Sequence, residues 1–132
     1  MKRVPLLLVE DEIVVAMPIE ELLLQAGFDV SVALDGNGAL AEIESRAQRF
    51  RVLVTDIALP NASGWDVARR AREIDPSIAV IYYSGQGGVD WDTNAVPGSV
   101  AVRKPFTNTE LVAAVNDLFR KTEARSLADR LH

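Results

Sequence analysis

Apolar and polar positions along this chain alternate in blocks whose period keeps switching between strand and helix. Leu6 to Val9 is a continuous apolar run, the pattern of a strand buried on both faces. Pro5 cannot donate to a ladder, so that strand starts at or after it unless Pro5 occupies a free position. Ile13, Val14, Met17, Leu22, Leu23 and Leu24 then give a helical stripe over residues 13–26, with Gly27 as the stop signal. Pro18 lies inside that stripe and should kink the helix, since it removes one backbone bond at roughly 3 kcal/mol. Phe28, Val30 and Val32 alternate with Asp29 and Ser31, which predicts a half-exposed strand at a sheet edge. Asp35 caps a helix over 36–48 with Leu40, Ile43 and Ala47 on one face. Val52 to Thr55 is a third apolar strand, ending at Asp56 and a turn rich in Pro60, Asn61, Ser63 and Gly64.

Ser63 and Asp66 have capping-box spacing for a helix over about 64–74, whose core stripe is Val67, Ala68, Ala71 and Ile74. Ile78 to Tyr83 is a fourth strand, ending at Ser84-Gly85. Between Gln86 and Ser99 the glycines and prolines leave room for a short helix around 89–95, with Trp91 as its packing anchor. Val100 to Val102 is a brief fifth strand, followed by Arg103-Lys104-Pro105-Phe106. Thr107 and Glu110 form a capping box, and Leu111, Val112, Val115, Leu118 and Phe119 make an amphipathic stripe. Residues 121–132 are polar with scattered leucines, a helix extension or a tail.

This is a (βα) unit repeated five times without internal sequence repeats. It predicts an α/β, flavodoxin-like, doubly wound parallel sheet with right-handed crossovers. A half-exposed second strand and four mostly apolar ones fit the order 2-1-3-4-5, with a switch point between strands one and three.

At 132 residues the chain is long enough for one domain with a sizeable core. A net charge of -5 without a basic run argues against nucleic-acid binding. The absence of cysteine removes disulfides, thiol nucleophiles and Cys-based metal sites. Glu10, Asp11 and Glu12 end the opening apolar run too early for a signal peptide or a membrane span, so the expectation is a cytoplasmic chain with no membrane insertion.

In a parallel sheet the C-terminal ends of all strands share one edge. Strand one ends at Glu10-Asp11, strand three at Asp56, strand four at Ser84 and strand five at Lys104. Singly these are ordinary: acids favour helix N-termini, and Asp56, Ser84-Gly85 and Lys104-Pro105 all read as turns. Together they place three carboxylates beside a hydroxyl and an ammonium. Unit-charge pairs repel by about 4 kcal/mol at 4 Å with an effective dielectric near 20. A hard divalent cation such as Mg²⁺ relieves that repulsion and takes oxygen ligands. It typically takes only one or two carboxylates, which leaves Asp56 available as a nucleophile, with Lys104 and Ser84 able to neutralise phosphoryl oxygens.

Leu-Val-Glu10-Asp11-Glu12, Val-Thr-Asp56-Ile-Ala-Leu-Pro60 with Gly64, Tyr-Ser84-Gly85 and Lys104-Pro105-Phe106 resemble the receiver domain of bacterial two-component response regulators. The resemblance covers residues 3–120, with the four motifs in order and at the right spacing. It implies a receiver over residues 1–120 of the stand-alone type, in which Asp56 accepts a phosphoryl group from a phosphohistidine. The donor would be a sensor histidine kinase or a histidine phosphotransfer protein. Output would pass by contact with a downstream protein. It further implies that Glu10 and Asp11 bind Mg²⁺ together with Asp56 and the Ala58 carbonyl, that Ser84 turns towards the phosphate and that Lys104 pairs with it. Ala58 and Gln86 match positions flanking the path of attacking water. The sole histidine is His132, so the phosphodonor should be another molecule. One departure stands out. The aromatic residue usual three positions before the lysine is Ala101 here, with Tyr82 and Tyr83 as nearby aromatic candidates to replace it.

Two other classes compete. An interaction module could keep the fold without turning over phosphate. Gly36-Asn37-Gly38-Ala39-Leu40-Ala41 also fits a dinucleotide fingerprint, with Asp56 twenty residues on. That fingerprint belongs on a buried central strand, however, and too little chain remains for a second mononucleotide half. No P-loop is present, and a haloacid-dehalogenase-type hydrolase would want an acid where Ala58 stands. Titration with NAD(H) is therefore expected to give no saturable fluorescence change; saturation would restore the oxidoreductase reading.

Overall fold

The computed structural model describes residues 3–45, 49–84, 94–103 and 105–131. Five strands, β1 (Val4–Val9), β2 (Phe28–Ala33), β3 (Val52–Asp56), β4 (Ala79–Ser84) and β5 (Val100–Arg103), form one parallel sheet. Their order is β2-β1-β3-β4-β5, as the hydrophobic pattern predicts. The helices are α1 (Ile13–Gln25), α2 (Gly36–Ser45), α3 (Gly64–Ile74) and α4 (Asn108–Arg130). The helix expected around 89–95 lies almost wholly outside the described residues, as do 46–48 at the end of the second helix. β1 begins before Pro5, whose carbonyl accepts the Arg51 N–H at 2.9 Å. α1 runs as one element through Pro18.

Alternation along each strand divides the core into two layers. Leu7, Val9, Leu53, Val80 and Tyr82 face α2 and α3 through Ala39, Ile43, Val67, Ala68 and Ala71. Leu6, Leu8, Val52, Val54, Ile81 and Tyr83 face α1 and α4 through Ala16, Ile19, Leu23, Leu111 and Val115. The three interior strands β1, β3 and β4 are therefore buried on both sides, which is why they read as unbroken apolar runs.

The stripe expected on α1 holds at Leu23, with Leu22 packed against the core, and needs correction in the first turns. The buried residues are Ala16, Ile19 and Leu23, whereas Ile13, Val14 and Met17 are 56%, 75% and 59% exposed. This helix carries apolar residues nearly all the way round, so its sequence period does not select a buried face; contact with the sheet does. The result is an uncovered apolar surface on the first turns of α1. At the other end of the fold, α4 continues through residues 121–130, and the Arg51–Glu123 ion pair ties the extension to the start of β3. No helix among the described residues is long and apolar enough to cross a membrane.

Both predicted capping boxes form. Ser63 accepts the Asp66 N–H at 3.2 Å and Asp66 accepts the Ser63 N–H at 3.3 Å. Thr107 and Glu110 do the same for α4 at 3.0 and 3.1 Å. The α3 box sets how the chain leaves Asp56, and Gly64 makes that exit tight. A Cβ at Gly64 would strike the Asp56 carbonyl oxygen and lie 3.0 Å from the Ile57 Cα, both backbone. Gly to Ala in a helix ordinarily stabilises by about 0.4–1 kcal/mol. Here the clash outweighs that gain, and Gly64→Ala is expected to lower unfolding stability by about 2 kcal/mol. Urea unfolding checks it; an unchanged or raised midpoint would mean that the turn after Asp56 yields freely.

Candidate functional site

Strand register decides which ends meet. Val9 pairs with Thr55, so Glu10 runs level with Asp56, and Asp56 in turn pairs with Tyr83. Alternation then puts Glu10 and Asp56 in series with Leu6 and Leu8 and with Val52 and Val54, on the same side as Tyr83. Carboxylate oxygens of Glu10, Asp11 and Asp56 lie within 4.8 Å of one another. Glu10 is buried, Asp56 is partly buried and Asp11 is exposed. The three acids that the sequence assigned to the sheet edge are thus brought together.

Each buried oxygen finds a donor. Glu10 Oε2 accepts the Glu12 N–H at 3.0 Å, and Glu10 Oε1 accepts the Tyr83 hydroxyl at 2.6 Å. Asp56 Oδ1 accepts the Ala58 N–H at 3.2 Å, so the turn after the strand steadies the carboxylate. Burial pushes the Glu10 carboxyl above its ordinary 4.5; the Tyr83 and Glu12 hydrogen bonds oppose this, and the Asp56 charge adds to it. Burial and the Glu10 carboxylate push the Tyr83 phenol far above the tyrosine range, so it stays a proton donor.

The donor set suits a hard cation. It offers oxygens alone, with one acid exposed so that water or a phosphoryl oxygen can complete the shell. Next to it is a cleft of about 320 Å³ lined by Glu10, Asp56 and Tyr83, with Val14 and Pro18 of α1 and Phe106. A larger cavity, about 530 Å³, lies between α2 and α3 among Ile43, Phe50, Ala71 and Ile78, and none of these carboxylates lines it.

Ser84 is buried at the end of β4, one residue beyond the partner of Asp56. Ala58 is exposed, two residues after Asp56. Lys104, Gln86 and Trp91 lie outside the described residues. Ala101 is exposed and pairs in register with Tyr82. Tyr82 is fully buried, its ring 4.7 Å from that of Trp65 and its oxygen accepting the Val96 N–H at 3.2 Å. The two adjacent tyrosines therefore serve opposite layers, and Tyr83 is the one that reaches the acids. Sequence reasoning assigned Tyr83 no part in the acidic site. Its signal was its position, one residue before Ser84, but only the register of β4 against β1 and β3 shows that it faces Glu10.

The glycine fingerprint has a different explanation. A Cβ at Gly36 would strike the Ala62 carbonyl oxygen and lie 2.7 Å from the Ala62 Cβ, and the Gly36 N–H bonds the Pro60 carbonyl at 3.1 Å. Gly36 admits the chain's own β3–α3 turn.

The model of the response regulator receiver domain matches residues 6–116. The chain belongs to the response regulator receiver domain family. It is 32% identical over 120 residues to the response regulator receiver protein CpdR of Brucella abortus, covering 89% of this chain and 97% of that one. It is 33% identical over 124 residues to the probable transcriptional regulatory protein TcrX of Mycobacterium tuberculosis, covering 90% of this chain but 51% of the relative. Against several of its curated relatives the chain thus spans about half the length. A response regulator receiver protein from Sinorhizobium medicae, known from its crystal structure, superposes with a TM-score of 0.85 at 38% identity, covering 91% of this chain and 97% of that one. Receiver domains are the phosphorylation switches of two-component signalling, and the acidic cluster is able to hold a metal ion.

The strain in this receiver's acidic edge is measurable through stability. A folded-state Glu10 that keeps its proton to higher pH than in the unfolded chain makes stability fall as pH rises through its folded pKa. Glu10→Gln keeps an acceptor for Tyr83 and removes the charge. With EDTA present, the variant is expected to gain stability over wild type as pH rises towards neutrality, the advantage vanishing below pH 4.5. Urea unfolding across pH checks it; a parallel offset at every pH would contradict it.

Proposed function

We propose that this receiver accepts a phosphoryl group on Asp56 from a phosphohistidine of a sensor kinase or phosphotransfer protein, and signals by contact with a downstream protein. The observation that carries the reading is the union of Glu10, Asp11 and Asp56 at one strand edge, inside a domain whose family works by phosphorylation. An Asp56 carboxylate oxygen attacks phosphorus. The phosphorus–nitrogen bond to the donor imidazole breaks as the new phosphorus–oxygen bond forms. With its other ring nitrogen protonated from solvent beforehand, the imidazole leaves as the neutral base. In a separate second step, water attacks phosphorus, the phosphorus–oxygen bond to Asp56 breaks, and inorganic phosphate leaves with the carboxylate restored.

Glu10, Asp11, Asp56 and the Ala58 carbonyl would hold Mg²⁺, which when bound neutralises the phosphoryl oxygens as charge shifts in the transition state. Glu10, buried and hydrogen-bonded, anchors the inner side of the site, while exposed Asp11 meets the solvent side. The Ala58 N–H already donates to Asp56 and orients the nucleophile without a charge. Ser84 and Lys104 are assigned to the phosphoryl oxygens as hydroxyl donor and ammonium partner.

The exposed face of α1 supports the protein-donor part. A phosphohistidine can reach Asp56 only if its carrier covers the surface around the acids. Val14 and Pro18 line the same cleft as Glu10 and Asp56, with Ile13 and Met17 exposed alongside. An apolar surface there gives the carrier something to bury.

With Mg²⁺ and a small-molecule phosphodonor, the intact mass is expected to rise by one phosphoryl group, and Asp56→Asn is expected to abolish the gain. An unmodified wild type across several divalent metals would instead favour an interaction module that keeps the fold without phosphate turnover.

A further inference from the structure

Glu10 is gripped from two sides, and one grip is unusual in kind. The Glu12 N–H on Oε2 comes from the adjoining backbone, as a residue at a strand end ordinarily finds. The Tyr83 hydroxyl on Oε1 comes from two strands away, at 2.6 Å, the short distance of a bond from a neutral hydroxyl to a charged oxygen. Tyr83 is itself 3% exposed, with its ring edge-to-face against Phe106 at 6.1 Å between centroids. Ring and hydroxyl do separable work. A phenylalanine would satisfy the contact with Phe106 and the α1–α4 layer; the hydroxyl adds the 2.6 Å bond to Glu10 Oε1, with the Val9 carbonyl oxygen farther off at 3.5 Å.

The choice of donor matters at a cation site. A lysine or arginine on Glu10 would bring a positive charge that competes with a divalent ion for the same acids. A phenol that remains protonated supplies a directional donor with no charge. Among the described residues each Glu10 oxygen accepts one donated bond, from the Glu12 N–H or the Tyr83 hydroxyl, and an oxygen with two lone pairs has capacity for a second partner such as an ion or its bound water.

We propose that Tyr83 is a positioning residue of the divalent-cation site, its hydroxyl holding the Glu10 carboxylate in the orientation that faces the ion, so that Mg²⁺ affinity depends on that hydroxyl. The inference rests on the reading of Glu10, Asp11 and Asp56 as a Mg²⁺ site, and it adds a residue that touches neither metal nor phosphate. Glu10 buried and held at both oxygens is already in place before the ion arrives, and loss of one restraint returns that ordering to the cost of binding.

Calorimetric titration with magnesium chloride tests it on the full chain. Tyr83→Phe is expected to raise the half-saturating Mg²⁺ concentration by about tenfold, the lower end for losing an outer partner of a metal-facing group. The rate of phosphorylation by a small-molecule donor should fall in parallel at low Mg²⁺ and recover at saturating Mg²⁺. Lost stability alone does not produce that split. Wild-type protein gives a second measurement that needs no folded Tyr83 variant. The chain has two tyrosines, so a ring-carbon label next to the hydroxyl gives two resonances, and Tyr82→Phe identifies which is Tyr83. The Tyr83 signal is expected to move on Mg²⁺ addition with the calorimetric midpoint. An unchanged midpoint in a folded Tyr83→Phe, or a Tyr83 signal indifferent to bound Mg²⁺, overturns the proposal while leaving the cation site standing. A wild type that takes up no Mg²⁺ in the calorimeter removes the cation site itself, and this role with it.

Discussion

Glu10, Asp11 and Asp56 hold carboxylate oxygens within 4.8 Å of one another, against mutual repulsion of about 4 kcal/mol per unit-charge pair at 4 Å and an effective dielectric near 20. What enforces this is the sheet beneath them. Leu6 to Val9 and Val52 to Val54 are fully buried, so β1 and β3 have layers on both faces and cannot slip to separate their ends. The Val9–Thr55 pairing puts Glu10 level with Asp56 as a consequence of packing several residues away. Around that edge the chain supplies donors that carry no charge: the Glu12 and Ala58 amides and the Tyr83 hydroxyl. They steady the acids without cancelling their negative charge.

The two layers have different characters. On the α2–α3 side, Tyr82 is buried against Trp65 and bonded by the Val96 amide, level with exposed Ala101. The aromatic ring at this height therefore belongs to β4, where it is already enclosed. On the α1–α4 side, Tyr83 links Glu10 to Phe106 at the entry to α4, and α1 leaves Ile13, Val14 and Met17 uncovered. The acids thus adjoin an apolar surface on one side and a closed aromatic contact on the other. That asymmetry is the physical basis for the proposal that a protein donor sits over α1.

Much of this was legible from local chemistry. Ser63–Asp66 and Thr107–Glu110 announced their helices because a capping box acts across three residues. The alternation of Phe28, Val30 and Val32 marked β2 as the edge, and the acids and Ser84 were correctly read at strand ends. One local signal misled in part, and a second imitated another chemistry without carrying the reading. The α1 stripe pointed at Ile13, Val14 and Met17 because a helix apolar nearly all round carries no phase. The Gly36 fingerprint imitated a cofactor loop because a close approach needs a missing Cβ whether the neighbour is a pyrophosphate or the Ala62 backbone.

Local sequence determined the elements, their order and which residues end each strand, since helix caps, turn residues and periodicity act over a few positions. Tertiary structure alone decided which faces meet. A period of two sorts a strand's side chains into two sets without saying which set shares a side with a neighbour's. That assignment comes from register and twist, settled by contacts between residues far apart in the chain. It is what turned Tyr83 towards Glu10 and Tyr82 towards Trp65, and what set Asp56 beside acids encountered more than forty residues earlier.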